Sequence, residues 1–177
     1  MSLCNLGLEP YVNPGCETNY LGGVRSLIVF QNNLPTDPSN ASEVQALIDS
    51  GDAVLLQGLK VGVPEATPIT SPSMRSCSPE VTINYDRTIT IIDANVEPGN
   101  VEFYNSLNNS TGFEAAGVLL YQCDADRCQF IDEPINFTGS LIVPDDNNDQ
   151  PQHFSFTGKW KKKGDALIVD APANIFT

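Results

Sequence analysis

The chain has 177 residues, 41% of them hydrophobic and only 18% charged, which suits one domain with a real core and excludes a disordered polymer. Its formal charge of −13 rests on 22 acidic and nine basic residues, and four of the basic ones are Lys159, Lys161, Lys162 and Lys163. Setting those aside leaves five basic residues against 22 acidic ones, so most of the surface is expected to repel nucleic acid and anionic membrane. An acidic surface can still line a channel through which DNA slides without sticking.

Residues 1–20 lack the basic start and apolar core of a secretory signal, and no apolar run approaches the ~20 residues a membrane helix needs. The sequence therefore predicts folding in a cytosol, with the sequons at Asn40, Asn108, Asn109 and Asn136 arising by chance. The five cysteines, at 4, 16, 77, 123 and 128, are an odd count and read as free thiols rather than a disulfide framework.

In chain order, residues 1–20 form an irregular arm with Pro10, Pro14 and Gly15, and a β-prone run follows at 24–30. A short helix is predicted over 40–50. Asn40 is its cap, Glu43 answers as a capping box, Val44, Leu47 and Ile48 share one face, and Gly51 is the stop. Residues 53–57 and 59–63 read as a strand or a tight pair of strands. Pro64, Pro68, Pro72 and Pro79 then predict an extended loop over 64–79, long enough to serve as an arm that reaches a neighbouring subunit.

The strongest strand signal is 80–91, where Val81, Ile83, Tyr85, Ile89 and Ile91 alternate with Thr82, Asn84, Asp86, Thr88 and Thr90. Arg87 alone breaks the period. Such a strand buries one face and offers a polar one to water or a lumen. A second helix is predicted over 100–107 with Asn100 as cap, and 116–170 reads as an antiparallel meander with turns every 8–12 residues. The expected fold is mainly β, a sandwich or partly closed antiparallel barrel with one or two short helices packed on it, in a single domain spanning 1–177.

No catalytic constellation emerges. His153 is the sole histidine, and no Ser or Cys sits in a nucleophile elbow. Cys123 and Cys128 flank Asp124 and Asp126 on one hairpin and are open to three readings: inert thiols, a cross-strand disulfide, or two ligands of a metal site that lacks its second pair. Residues 145–149 start like a calcium loop, but Gln150 stands where a glycine is required, so a solvated turn is expected. No cofactor, metal or enzymatic activity is predicted. The lysines of 159–163 are either a solvated hairpin end or a contact for acidic patches on another copy.

Cys4, Gly15-Cys16 and Leu21-Gly22-Gly23-Val24 before a β run resemble the start of tail proteins from phages and prophages of the Bacteroidetes. The alternating strand at 81–92 after a Pro-rich loop is similar to the central strand of tail-tube-like proteins, and residues 154–160 resemble their last core hairpin. The resemblance implies a virion structural protein made in a bacterial cytoplasm. It would form hexameric rings of β-sandwiches, with a helix outside, that stack and conduct DNA as non-specific cargo, with other tail proteins as partners and no membrane. Another virion component (a tail terminator, head–tail connector or head decoration protein) or an extracellular β-sandwich binding module remains an alternative. On this reading the subunit contacts fall at Cys4, Tyr11, Cys16, Pro64, Pro68, Pro72, Arg75, Lys161, Lys162 and Lys163.

Overall fold

A computed structural model describes residue 10 and residues 24–71, 81–122, 127–145 and 151–176. Ten strands and two helices are present among them: β1 (Val24–Phe30), α1 (Ala41–Asp49), β2 (Ala53–Leu56), β3 (Lys60–Gly62), β4 (Thr67–Ser71), β5 (Val81–Asp93), α2 (Pro98–Leu107), β6 (Gly117–Gln122), β7 (Arg127–Ile131), β8 (Asn136–Ile142), β9 (His153–Lys161) and β10 (Leu167–Asp170).

The hydrogen-bonded strand order is β10-β7-β6-β1-β3-β5-β9-β8, with β2 also on β1 and β4 also on β5. Every pairing is antiparallel. Among the described residues the ladder joins its halves at the single pair Val24↔Val61, and an isolated bridge between Ala115 and Ile135 also crosses between them, so the path folds into two sheets joined at a corner. One sheet is β10-β7-β6-β1-β2; the other is β8-β9-β5 with β3 and β4 end to end along the far side of β5. The fold is thus mainly β and sandwich-like, with two short helices.

The main core lies between the sheets. Leu27, Val29, Val118, Leu120 and Ile131 from one meet Ile89, Ile91, Phe137, Phe154, Phe156 and Trp160 from the other. The helix α2 adds Phe103, Tyr104 and Leu107 to this core, where the Tyr104 ring stacks on Phe154 at 4.3 Å. A second apolar layer covers the opposite face of the first sheet. There Ile28, Phe30, Leu119, Cys128 and Phe130 lie beneath Val44 of α1 and beneath Ile175 and Phe176 of the tail. Because residues 27–30 of β1 are buried on both faces, they read as an unbroken apolar run rather than an alternating one.

Asn40 caps α1, its side chain accepting from the Ser42 and Glu43 amides at 3.1 and 3.4 Å. Glu43 does not complete a capping box. Its carboxylate accepts instead from the Thr36 and Asp37 amides at 2.6 and 3.1 Å and so ties down the loop entering the helix. Those amides hold the Glu43 carboxyl below its ordinary value.

Four further expectations are corrected. The second helix starts at Pro98, whose fixed φ suits a first helical position, and Asn100 is a buried side chain inside it rather than its cap. Strands β2 and β3 do not pair with each other; both lie against β1. The Pro-rich segment is not loop throughout, since β4 runs through Pro68 opposite Tyr85, and an edge strand tolerates the missing N–H. The stretch from β6 to β10 is not a meander either. After the β6–β7 hairpin the chain crosses at Pro134 to the second sheet for β8 and β9, then returns to lay β10 on β7.

Candidate functional site

Among the described residues no group of three or more His, Cys, Asp or Glu could hold a metal ion. His153 Nδ1 donates to the Pro151 carbonyl at 3.0 Å, which orients the ring at a strand start. Cys128 is buried beneath the tail, and burial pushes its thiol up to about 12, so it remains protonated and inert at neutral pH. The buried Asp93 accepts from Tyr104 Oη at 2.8 Å and from the Asn95 amide at 2.8 Å, fixing α2 to the end of β5. That arrangement is structural: the carboxylate joins helix to strand inside the core.

Of the residues expected at subunit contacts, Cys4, Tyr11, Cys16, Pro72 and Arg75 lie outside the described residues, as do Cys123, 124–126 and 146–150. Pro64 and Lys163 come together in a depression of about 490 Å³ that also includes Tyr85, Arg87 and Asp165. Pro68 sits on the edge strand β4, which stands against the first half of β5. Lys161 lines a different depression, of about 440 Å³, with Asp86, Thr88, Asn136 and Lys159.

Lys162 is not a free contact. Its ammonium is bonded to Asp132 and lies 3.9 Å from Glu133, and that bond holds the Asp132 carboxyl below its ordinary value. The basic run is therefore split. One lysine fastens the β7–β8 turn, while Lys159 and Lys161 project from the outer face of β9.

Arg87, the residue that breaks the alternation of β5, acquires a reason. Its Nε donates to the Lys162 carbonyl at 3.3 Å, its Nη2 pairs with Asp165 at 2.9 Å, and its guanidinium lies 5.6 Å from the Tyr85 ring centre. It seals the open end of the core with a cation that the β9–β10 turn neutralises. N-terminal to it, β5 leaves the sandwich. Residues from Asp86 onward pair with β9, whereas 81–85 pair with β4 alone, and Ile83 is 54% exposed although it shares the phase of the buried Ile89 and Ile91.

Apart from Val63 and Ile92, the remaining large exposed apolar residues gather at the two ends of the strand path. Strand β10 pairs only with β7, and its Leu167 and Ile168 are 52% and 70% exposed. Strand β8 pairs with β9, and on its other side Asn108 bridges to Phe137 and donates its side-chain amide to the Gly139 carbonyl at 2.9 Å, so that edge is open only toward its end, where Leu141, Ile142 and the following Val143 are exposed. Neither edge carries the charges or prolines that usually blunt a free strand, apart from Asp170 at the end of β10. Sequence reasoning missed both edges, because edge position depends on pairing partners far away in the chain. The only trace was their high apolar content with few charges. Trp160 is buried, so it offers no exposed aromatic platform for a glycan.

A scan against known protein families and a search of curated proteins found no match to this chain.

Proposed function

We propose that this chain is a virion structural subunit of the tail-tube kind, which functions as a homo-oligomer and requires no catalytic group. The supporting observation is the pair of open edges, β10 and the far end of β8, at opposite ends of one hydrogen-bonded path. Among the described residues, β10 and the stretch of β8 beyond Gly139 have no second strand partner, and both carry exposed apolar side chains. Laying β10 of one copy beside β8 of the next is a heterologous contact, and contacts of that type close into rings or run on as filaments. The β4–β5 ribbon, which stands clear of the sandwich, would then reach an adjacent copy. A helix on one outer face and a bare opposite face fit a wall with distinct inner and outer surfaces.

Negative-stain microscopy and sedimentation at rising protein concentration test the proposal. Rings or tubes of uniform diameter support it. A chain that stays monomeric up to the highest soluble concentration refutes it, and closed rings that never stack move the assignment to a terminator or connector.

A further inference from the structure

The inward column of β9 does not end with the strand. Phe154, Phe156, Gly158 and Trp160 are buried along it, and Lys162 is the next residue in that phase. On the first sheet, Asp132 and Glu133 directly follow the buried Ile131 at the end of β7. The Lys162 ammonium spans the mouth of the sandwich to reach them, bonded to Asp132 and 3.9 Å from the Glu133 carboxylate. Its side chain is only 18% exposed. Its backbone is pinned as well: the Lys162 amide donates to the Tyr85 carbonyl at 3.2 Å, and its carbonyl accepts from Arg87 Nε at 3.3 Å. Among the described residues no other lysine meets two carboxylates.

We propose that this cluster is a self-modification site, at which Lys162 and Asp132 join in an isopeptide bond while Glu133 carries the protons. The Lys162 Nζ, relieved of a proton by the Glu133 carboxylate, attacks Asp132 Cγ. A new N–C bond forms and one Cγ–O bond breaks. The oxygen leaves as water with the two protons that the nitrogen gives up. An ammonium and a carboxylate thus become a neutral amide and one water, so nothing is oxidised or reduced and no co-reactant is needed. Amines and acids do not condense when free in water, but partners held in one geometry reach effective concentrations of about 10⁵–10⁸ M. Proton transfer through a positioned carboxylate adds about 10²–10⁴-fold. The pairing with Lys162 favours the charged form of Asp132, so closure passes through the minor neutral pair and is slow. Chain that has not closed keeps the ion pair and titrates with it. The product ties the ends of β7 and β9, one strand from each sheet, and closes a loop between positions 30 residues apart. Both partners belong to one copy, so the bond forms whether or not copies assemble.

The test is intact-mass spectrometry of the full chain, denatured either fresh or after a week in neutral buffer at physiological temperature. The expected result is a species lighter than the sequence by one water, growing with time. Trypsin should then release a branched peptide that joins residues 128–159 to a short fragment carrying Lys162. Lys162→Arg keeps the charge and should hold the full mass throughout, whereas Lys161→Arg should close as the wild type does. Glu133→Gln should slow closure about 100-fold or more. Circular dichroism confirms that each variant is folded, and Glu133→Gln serves as the decisive comparison if Lys162→Arg does not fold. A wild type that keeps its full mass after the week overturns the inference. A water lost elsewhere, as in a succinimide, leaves no branched peptide and overturns it too, as does a branch at Glu133 instead of Asp132. Closure of Glu133→Gln at the wild-type rate overturns the role given to Glu133.

Discussion

Replacing Ile168 by lysine alters the outer end of the first sheet and nothing inside it. Full burial of an isoleucine side chain is worth about 1.5–3 kcal/mol, and Ile168 is 70% exposed, so pairing with another strand could gain about 1–2 kcal/mol from this residue alone. A lysine forfeits that gain and brings a charge that an edge-to-edge contact would have to desolvate, which is how natural edges resist pairing. Since 1.4 kcal/mol is tenfold in an equilibrium constant, each contact should weaken by about tenfold or more. Folding should barely change, because exposed substitutions stay within about 0.5 kcal/mol. Sedimentation velocity across a concentration series reads the first effect and thermal melting by circular dichroism reads the second. Unchanged association with an unchanged melt would refute the edge mechanism, and a collapsed melt would show that Ile168 belongs to the core after all.

Other outcomes follow from the interior. At Gly158→Ala the new methyl would meet the Ile89 and Phe137 side chains at 2.6 Å, so overpacking should cost about 1–3 kcal/mol and lower the melting temperature by several degrees; an unchanged melt contradicts the packing described. The bond to Lys162 depresses the Asp132 pKa in the folded state. Its contribution is therefore present above the unfolded carboxylate value and lost as pH falls through the folded one. Asp132→Asn should melt below wild type at pH 7 and converge with it toward pH 3, and a gap that is constant with pH would disprove the linkage. Cys128 should resist a thiol reagent at pH 8 until the chain unfolds, so that native wild type and Cys128→Ser release the same fast-reacting count; one fewer in the variant would place the thiol at the surface.

Local rules made part of this molecule legible. Asn40 with a following i, i+3, i+4 apolar set is enough to define α1, and the alternation of 81–91 is enough to define a long strand. Sequence alone could not reveal that the alternation continues past the core. Ile83 and Ile91 look alike in the chain, and only the reach of β9 makes one exposed and the other buried. Pro68 was legible as extended backbone but not as a paired strand, because an edge forgives what a centre forbids. The candidate contacts fared similarly. Lys161 and Lys162 are neighbours in sequence, yet strand alternation sends one outward and gives the other to Asp132, a partner 30 residues away. The shared face of Lys60, Lys159 and Lys161 depends on register across three strands, which no local pattern encodes.

The clasp of the tail over the first sheet has a consequence for synthesis. Phe176 stacks on Tyr121 at 4.4 Å, and with Ile175 it roofs Ile28 and Leu119. A ribosome adding about 5–20 residues per second delivers those two side chains about 7–30 seconds after β1 has been made. During that interval the nascent sheet shows an uncovered apolar strip to solvent, which is the kind of surface a chaperone holds. A fusion placed directly after the tail would prolong the interval, so a tag at that end should lower soluble yield more than one placed before β1.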